Sequence, residues 1–163
     1  MHLDRHWIEQ HIPHHGRMCL LDEIIEWDAQ HVRCRSSTHR DADHPLRSQG
    51  RLGIACGIEY AAQAMAVHGA LAAGIRAGAA AGAAGSGAAQ PAAGFLAGLR
   101  DVQLHVARFD DLQADLICDA LLLAGDGGTA LYEFAVSCGA QPLLRGRATV
   151  VFDADKQLHG THE

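Results

Sequence analysis

Glu59 is the residue whose type and surroundings most directly suggest chemistry. It is the only carboxylate between Asp43 and Asp101 and lies in Leu52–Ile75, a stretch that is otherwise uncharged. Burial in such a segment raises the pKa of a carboxyl group toward neutrality, so that it can donate a proton at physiological pH. Gln63, four residues later, shares one face of the predicted helix and can hydrogen-bond the carboxyl. A solvated position near the helix N-terminus, favoured by the dipole, would explain the same carboxylate without chemistry.

A proton donor needs a base opposite it, and His44 is our candidate among twelve histidines. It precedes Pro45 in a polar loop just before the helix of Glu59, where a turn can bring an imidazole beside a helix-borne carboxyl. A second cluster is formed by His11, His14 and His15. Adjacent histidines point in different directions on regular backbone, and no nearby carboxylate completes a ligand set, so we expect no metal there.

Nucleophilic catalysis and phosphoryl transfer find less support. Cys56 lies at the start of the same helix, but its neighbours are apolar, and a small buried cysteine is common in protein cores. The chain contains no G-x-S-x-G motif, and no lysine follows the glycines of Gly82–Gly87, as a phosphate-binding loop requires. We expect neither chemistry, and no organic cofactor.

Composition and charge limit the class of protein and its partners. The 163 residues, 48% apolar and 20% charged, suit a single domain over residues 1–163 with its own core. A net charge of -6 argues against general binding to nucleic acid or to an anionic membrane. Five isolated cysteines, no C-x-x-C pair and no apolar signal segment at the N-terminus favour a reducing cytoplasm.

The hydrophobic pattern predicts the elements that position these groups. Gly53–Ala77 is apolar on nearly all sides, which predicts the buried helix that carries Glu59. The preceding segments predict a short helix at His2–His11, two strands at Met18–Trp27 and Gln30–Ser37, and a polar loop at Thr38–Leu52.

The second half of the chain begins with a low-complexity segment. Thirteen of the sixteen residues of Gly78–Ala93 are Ala or Gly, which predicts a flexible loop rather than a domain boundary. Alternating apolar residues then predict four strands: Gly94–Arg108, Leu112–Ala124, Thr129–Cys138 and Leu143–Phe152. Short connections between these strands imply an antiparallel sheet covered by one long helix, an α+β fold.

Three segments resemble those of a known family. Residues 12–26 are Ile-Pro-His-His-Gly-Arg-Met-Cys-Leu-Leu-Asp-Glu-Ile-Ile-Glu, residues 43–45 are Asp-His-Pro, and residues 57–63 are Gly-Ile-Glu-Tyr-Ala-Ala-Gln. In order and spacing they resemble the opening "PHR…LLVDRV" segment, the His-Phe-Pro loop and the central helix of the 3-hydroxyacyl-[acyl-carrier-protein] dehydratases of the hot-dog superfamily. The branch found in aryl-polyene and related fatty-acid-like clusters is the most similar.

The resemblance implies a hot-dog fold, in which a bent antiparallel sheet wraps the long helix and two units pair with a tunnel at each interface. It implies that His44 of one subunit removes the α-proton of a 3-hydroxyacyl thioester. Glu59 of the other subunit, held by Gln63, would protonate the leaving hydroxyl and yield a trans-2-enoyl thioester. A backbone N–H of Gly53 or Ile54 would bind the thioester oxygen.

The resemblance also implies the partners. Acyl carrier proteins are acidic, and Arg47 and Arg51, beside His44, are candidates to receive one or to bind coenzyme A instead. The expected assembly is a homodimer or a heterodimer with a related hot-dog subunit. Pro-Leu-Arg after His44 replaces the family's Phe-Pro-Gly, which leaves open a non-catalytic subunit that pairs with an active dehydratase. An acyl thioesterase, in which a carboxylate activates water, is the third possibility.

Overall fold

Antiparallel strands and one long helix account for most of the computed structural model, which describes residues 2–81 and 94–152. The helices are α1 (Arg5–His11) and α2 (Gly57–Ala81). The strands are β1 (Leu3–Asp4), β2 (Glu23–Trp27), β3 (His31–Ser36), β4 (Gly94–Leu104), β5 (Leu116–Gly125), β6 (Thr129–Cys138) and β7 (Gln141–Phe152). Short 3-10 turns occupy Gly16–Met18, Thr38–Arg40 and Ile54–Cys56.

All strand pairs are antiparallel, in the spatial order β1-β2-β3-β5-β6-β7-β4. Side chains alternate between the two faces, as the strand period requires. On β3, Val32 and Cys34 are buried against α2, whereas Arg33 and Arg35 point outward. Arg33 Nε donates to Asp119 Oδ1 on β5 at 2.8 Å, so the outer face is stabilised by cross-strand charge pairs.

Helix α2 packs against β3, β5 and β6 through its apolar surface. Its first residue, Gly57, approaches β7 so closely that a Cβ atom there would overlap Leu144 Cδ2. Glycine therefore allows the first turn of α2, which carries Glu59, to lie directly on the sheet. The core around this turn includes the fully buried rings of Tyr60 and Phe109, which meet edge to face with centroids 5.7 Å apart.

The predicted α+β class is confirmed, and Thr129–Cys138 is a strand with the predicted bounds. The prediction of a loop throughout Gly78–Ala93 was wrong at its start, because α2 continues to Ala81. Alanine has the highest helix propensity, and the four residues after Ala77 extend an existing helix without a new nucleation cost. The rest of that segment, residues 82–93, lies outside the described residues.

Strand β1 was not predicted; its two residues lie within the segment predicted as the first helix, which begins instead at Arg5. The Asp4 carboxylate caps α1 by accepting the N–H of Trp7 at 3.2 Å, which places the helix start after Asp4. No helix within the described residues is long and apolar enough to span a membrane.

Strand β4 is the last strand of the sheet order, and its side chains are largely exposed. Its exposed apolar side chains are Phe95, Leu96, Leu99 and Leu104. An edge strand with open backbone groups and exposed apolar side chains is a surface on which another chain can pair.

Candidate active site

Glu59 lies in the first turn of α2, and its side chain is 33% exposed. Gln63 follows one turn later and donates its Nε2–H to Glu59 Oε1 at 3.2 Å. The hydrogen bond predicted from their spacing is therefore present. The helix period sets this pair, because residues four apart share one face.

A segment distant in the sequence fixes the orientation of Gln63. The fully buried amide accepts the Leu20 N–H on Oε1 at 2.9 Å and donates Nε2 to Met18 O at 2.7 Å. These two contacts settle which end of the amide is oxygen and which is nitrogen, since Leu20 N–H can only donate and Met18 O can only accept. Gln63 therefore presents its Nε2–H donor to Glu59 and not its oxygen.

His14 supplies a second contact to the same carboxylate. Its Nε2 lies 3.0 Å from Glu59 Oε1, with 27% of the imidazole exposed. The hydrogen bond from His14 is the main cause that lowers the pKa of Glu59, and the bond from Gln63 adds to it against the opposing effect of burial. Burial does raise this pKa, as expected, but the two hydrogen-bond donors outweigh it, so the net shift is downward instead of upward.

Glu59 and His14 lie on the wall of a cavity of about 790 Å³. Helix α2 contributes a row of small residues to it: Ala62, Ala66, Gly69, Ala70 and Ala73. Leu122, Tyr132 and Phe152 face them from the sheet, and Phe95 and Leu96 of the edge strand β4 also line the cavity. Its size and mostly apolar lining suit a small organic ligand with an extended apolar part.

His44 is buried, with only 5% of the residue exposed, and both its ring nitrogens have partners. Nδ1 lies 3.1 Å from Leu46 N, and Nε2 lies 2.9 Å from the Tyr60 hydroxyl. A backbone N–H can only donate, so Nδ1 is the acceptor and a neutral His44 carries its proton on Nε2. Burial lowers the pKa of His44, which favours this neutral form.

The Tyr60 hydroxyl continues a buried chain of hydrogen bonds. It lies 2.7 Å from Thr38 Oγ1, which donates to Leu20 O at 2.8 Å. Because His44 Nε2–H donates to Tyr60 and Thr38 donates to a carbonyl, the Tyr60 hydroxyl must donate to Thr38. This chain defines the proton positions of all three side chains.

His44 and Glu59 do not meet within one chain. Glu59 lines the cavity described above, whereas His44 lines a smaller one of about 370 Å³ that also includes Arg17, Asp41 and Asp43. Glu59 and Tyr60, the contact of His44, are consecutive in α2. Consecutive helical side chains diverge by about 100° around the axis, so Glu59 and the Tyr60–His44 pair face different surroundings.

The two predicted oxyanion donors, the backbone N–H groups of Gly53 and Ile54, differ in their hydrogen bonding. Ile54 N–H donates to Ala107 O at 3.0 Å, and Phe109 N–H donates to Leu52 O at 3.1 Å. These two bonds flank the bridge between Gly53 and Arg108, so the N–H of Gly53 is not part of the ladder. Of the two candidates, only Gly53 N–H is outside this ladder.

The two predicted substrate-binding arginines also differ. Arg47 donates Nε to Asp41 O and Nη1 to Gly50 O, both at 2.7 Å, and Nη2 to His39 O at 3.3 Å. The guanidinium therefore holds the loop of His44 together from within. Arg51 is exposed beside this loop.

Sequence reasoning did not identify the roles of His14 and Tyr60. His14 was considered only with His11 and His15 as a metal site, but His11 Nδ1 lies 2.7 Å from Trp7 O and His15 is exposed. Within the described residues, no group of three or more potential metal ligands forms. Two features of the sequence could have pointed to these roles: His14 lies in the "PHR"-like segment, and Tyr60 is next to Glu59.

A long helix on a seven-stranded antiparallel sheet, with a helix-borne carboxylate facing an apolar cavity, is a hot-dog architecture of the dehydratase type. The family model described as ApeP-like, ApeP dehydratase, matches residues 6–159. The chain therefore belongs to the ApeP-like dehydratase family, which makes it a dehydratase, or hydro-lyase, by family.

Solved structures agree with this assignment. The dehydratase heterocomplex ApeI:P from Xenorhabdus doucetiae has a chain 27% identical, with 93% of each chain covered and a TM-score of 0.74. Conserved protein PA5202 from Pseudomonas aeruginosa is 13% identical over 79% of this chain and 86% of that one, with a TM-score of 0.52. AziG from S. sahachiroi is 14% identical over 79% and 88%, with a TM-score of 0.50.

The last two similarities show the fold alone. No curated protein sequence matches the chain.

Proposed function

We propose that this chain dehydrates a 3-hydroxyacyl thioester to a trans-2-enoyl thioester, as one subunit of a hot-dog dimer. The observation that carries the proposal is the Glu59 carboxyl, held by Gln63 and His14 on the wall of an apolar cavity of about 790 Å³. The row of small residues on α2 leaves space for an acyl chain beside the carboxyl. The polar end of the substrate would lie at Glu59 and its apolar part along α2.

The reaction requires one base and one acid. The base removes the α-proton, the electron pair moves to form the α,β double bond, and the bond from the β-carbon to the hydroxyl breaks. Glu59 gives a proton to the departing oxygen, which leaves as water, and Gly53 N–H stabilises the charge that develops on the thioester oxygen. In a homodimer, His44 of the second copy is the proposed base.

His44 can accept a proton only on its unprotonated nitrogen. That nitrogen is Nδ1, which accepts the Leu46 N–H in this structure. Base catalysis by His44 therefore requires the turn at residues 44–46 to open and to release Nδ1. The lowered pKa of His44, caused by burial, keeps the imidazole neutral and so able to act as a base near neutral pH.

Two observations support a dimer. Strand β4 is the exposed edge of the sheet, and its Phe95 and Leu96 also line the cavity of Glu59. A second chain on β4 would therefore extend the sheet and close the cavity from solvent. The related structure from Xenorhabdus doucetiae is a dehydratase heterocomplex, and we infer that this chain pairs with a related subunit or with a second copy.

The substrate handle is an acyl carrier protein or coenzyme A. Arg51 is exposed beside the loop of His44 and is the proposed contact for phosphate or carrier carboxylates, whereas Arg47 supports that contact by holding the loop. Five free cysteines suit a reducing cytoplasm. There the chain would act in a fatty-acid-like or polyene-forming pathway.

Glu59→Gln tests the role of the carboxyl. We expect loss of water from a 3-hydroxyacyl carrier substrate to slow by about 10²- to 10⁴-fold, because the carboxamide cannot deliver a proton. Glu133→Gln, on the outer face of β6, is the matched control. Unchanged turnover in Glu59→Gln would remove Glu59 from the mechanism, and release of free thiol instead of water would identify a thioesterase.

A second candidate is a non-catalytic subunit that completes the tunnel of an active dehydratase. This non-catalytic role is favoured by the state of His44, because both of its ring nitrogens are hydrogen-bonded within the chain. In this case His44→Ala would leave the activity of the heterodimer unchanged, and the chain alone would be inactive. A loss of about 10²-fold or more in His44→Ala, measured in the same complex, would establish the catalytic base instead.

A further inference from the structure

We propose that His14 is a positioning residue that holds the proton which Glu59 delivers to the leaving hydroxyl. This inference rests on the proposed dehydration and assigns to His14 a role that acts through Glu59. The two side chains would act together as one acid, and His14 Nε2 would carry the proton before it is transferred to Glu59.

The geometry singles out His14 among the neighbours of Glu59. Both His14 Nε2 and Gln63 Nε2 approach the same oxygen, Oε1, at 3.0 and 3.2 Å. Gln63 cannot exchange a proton, because its amide does not titrate and its other contacts, Leu20 N–H and Met18 O, fix its orientation. An imidazolium can give up its Nε2 proton and become a neutral imidazole, so His14 is the one of these two partners that can supply a proton.

The state of Glu59 creates the need for such a partner. The hydrogen bond from His14, followed by that from Gln63, lowers the pKa of Glu59, so the group is a carboxylate at neutral pH. A carboxylate has no proton to donate. Transfer from His14 Nε2 to Oε1 as the β-carbon–oxygen bond breaks solves this problem, because Glu59 passes one proton on and returns to the carboxylate.

The other histidines near the pair do not compete for this role. Of the described residues that line the cavity, the titratable side chains besides Glu59 and His14 are His11, His15 and Tyr132. His11 is hydrogen-bonded to Trp7 O and stacked on the Trp7 ring, and His15 is exposed. The Tyr132 hydroxyl lies 2.8 Å from His68 Nδ1. His11 is therefore engaged with its own helix, and His15 faces solvent.

Proton balance is complete within this arrangement. As an imidazolium, His14 gives its Nε2 proton to Glu59 and becomes a neutral imidazole, and Glu59 gives one proton to the hydroxyl that leaves as water. The α-proton is taken up by the base. The neutral His14 regains a proton from solvent, to which 27% of its side chain is exposed.

The first experiment needs no activity. Carbon-13 NMR of glutamate-labelled protein, with Glu59 assigned by Glu59→Gln, reports the titration of this carboxyl directly. We expect the pKa of Glu59 to rise in His14→Ala and to change less in His14→Gln, which keeps a donor. His6→Gln, an exposed histidine of α1, is the matched control and should leave it unchanged. An unaltered Glu59 titration in His14→Ala would overturn the proposal.

The second experiment separates proton delivery from structure. His14→Gln retains a hydrogen-bond donor but cannot supply a proton, so kcat should fall at least about tenfold with little change in KM and a changed pH profile. Added imidazole should restore part of the activity of His14→Ala. Full activity with the wild-type pH profile in His14→Gln would overturn this inference alone. Absence of dehydration in the wild-type complex would overturn the proposed function as well.

Discussion

His44 Nε2 lies 2.9 Å from the hydroxyl of Tyr60, the residue that directly follows Glu59 in α2. Glu59, the proposed acid, and Tyr60, the hydrogen-bond partner of the proposed base His44, are therefore adjacent in the chain but have different surroundings. Glu59 faces an apolar cavity, whereas Tyr60 is buried and ties His44 to Thr38. A change at Tyr60 should thus act on His44 without touching Glu59.

Tyr60→Phe removes the hydrogen-bond acceptor of His44 Nε2–H and leaves a buried donor unpaired. We expect the free energy of unfolding to fall by about 1–3 kcal/mol, measured by urea denaturation. A double-mutant cycle with His44→Gln isolates the interaction, and its coupling energy should be about 0.5–3 kcal/mol. Additive effects of the two substitutions would show that this contact does not contribute to stability.

The pH dependence of stability should reflect three buried histidines. Burial lowers the pKa of His39, His44 and His68 below the ordinary 6.5. As the pH is lowered, these histidines therefore take up protons at a higher pH in the unfolded chain than in the native state. The free energy of unfolding must then fall as the pH drops below about 6.5. Urea midpoints at pH 7.5, 6.5 and 5.5 measure this fall.

The same series of midpoints assigns the effect to particular residues. His44→Gln should reduce the fall in stability, because one group with a lowered pKa is lost. His105→Gln is the control, since His105 is exposed. A fall of equal size in the wild type and in His44→Gln would mean that His44 contributes nothing to the pH dependence.

Substrate length should depend on Gly69. A Cβ atom at Gly69 would lie 3.5 Å from Phe152 Cε1, so further side-chain atoms would enter the cavity between α2 and the sheet. We expect Gly69→Leu to lower the rate with the longest accepted 3-hydroxyacyl thioester by about tenfold or more and to spare short substrates.

Gly74→Leu is the matched control for this prediction. Gly74 lies on the same helix, and nothing lies within 4 Å of a Cβ atom placed there. Both substitutions raise helix propensity similarly, so a difference between them reports the cavity. Equal chain-length profiles in the two variants would exclude the space beside Gly69 as an acyl channel.

Assembly should depend on the exposed edge strand. Leu99→Lys places a charge among the apolar side chains of β4 and should weaken the dimer by tenfold or more, because a charged group would have to be desolvated at the interface. Light scattering coupled to size-exclusion chromatography measures the effect. Ile25→Lys, also at an exposed apolar position but on β2, should not alter the assembly; the reverse result would move the interface away from β4.

Much of the local architecture could be predicted because it depends on short-range periodicity. The alternation of apolar residues predicted β6 with its bounds, and the spacing of four residues predicted the bond between Gln63 and Glu59. The end of α2 could not be predicted, because Ala and Gly at residues 78–81 suit a loop composition as well as the continuation of a helix. Local composition does not distinguish these two states.

Residue spacing alone predicts that a lone carboxylate and a glutamine share one face of a buried helix, and that a histidine precedes that helix in a polar loop. The protonation and hydrogen bonding of these groups depend instead on contacts between distant segments. His14 reaches Glu59 from 45 residues away, and its hydrogen bond reverses the pKa shift that burial alone would cause. Leu46 N–H and the Tyr60 hydroxyl likewise set the tautomer of His44. Protonation depends on which donors and acceptors the fold brings within about 3 Å, and contacts between distant segments are not encoded in local spacing.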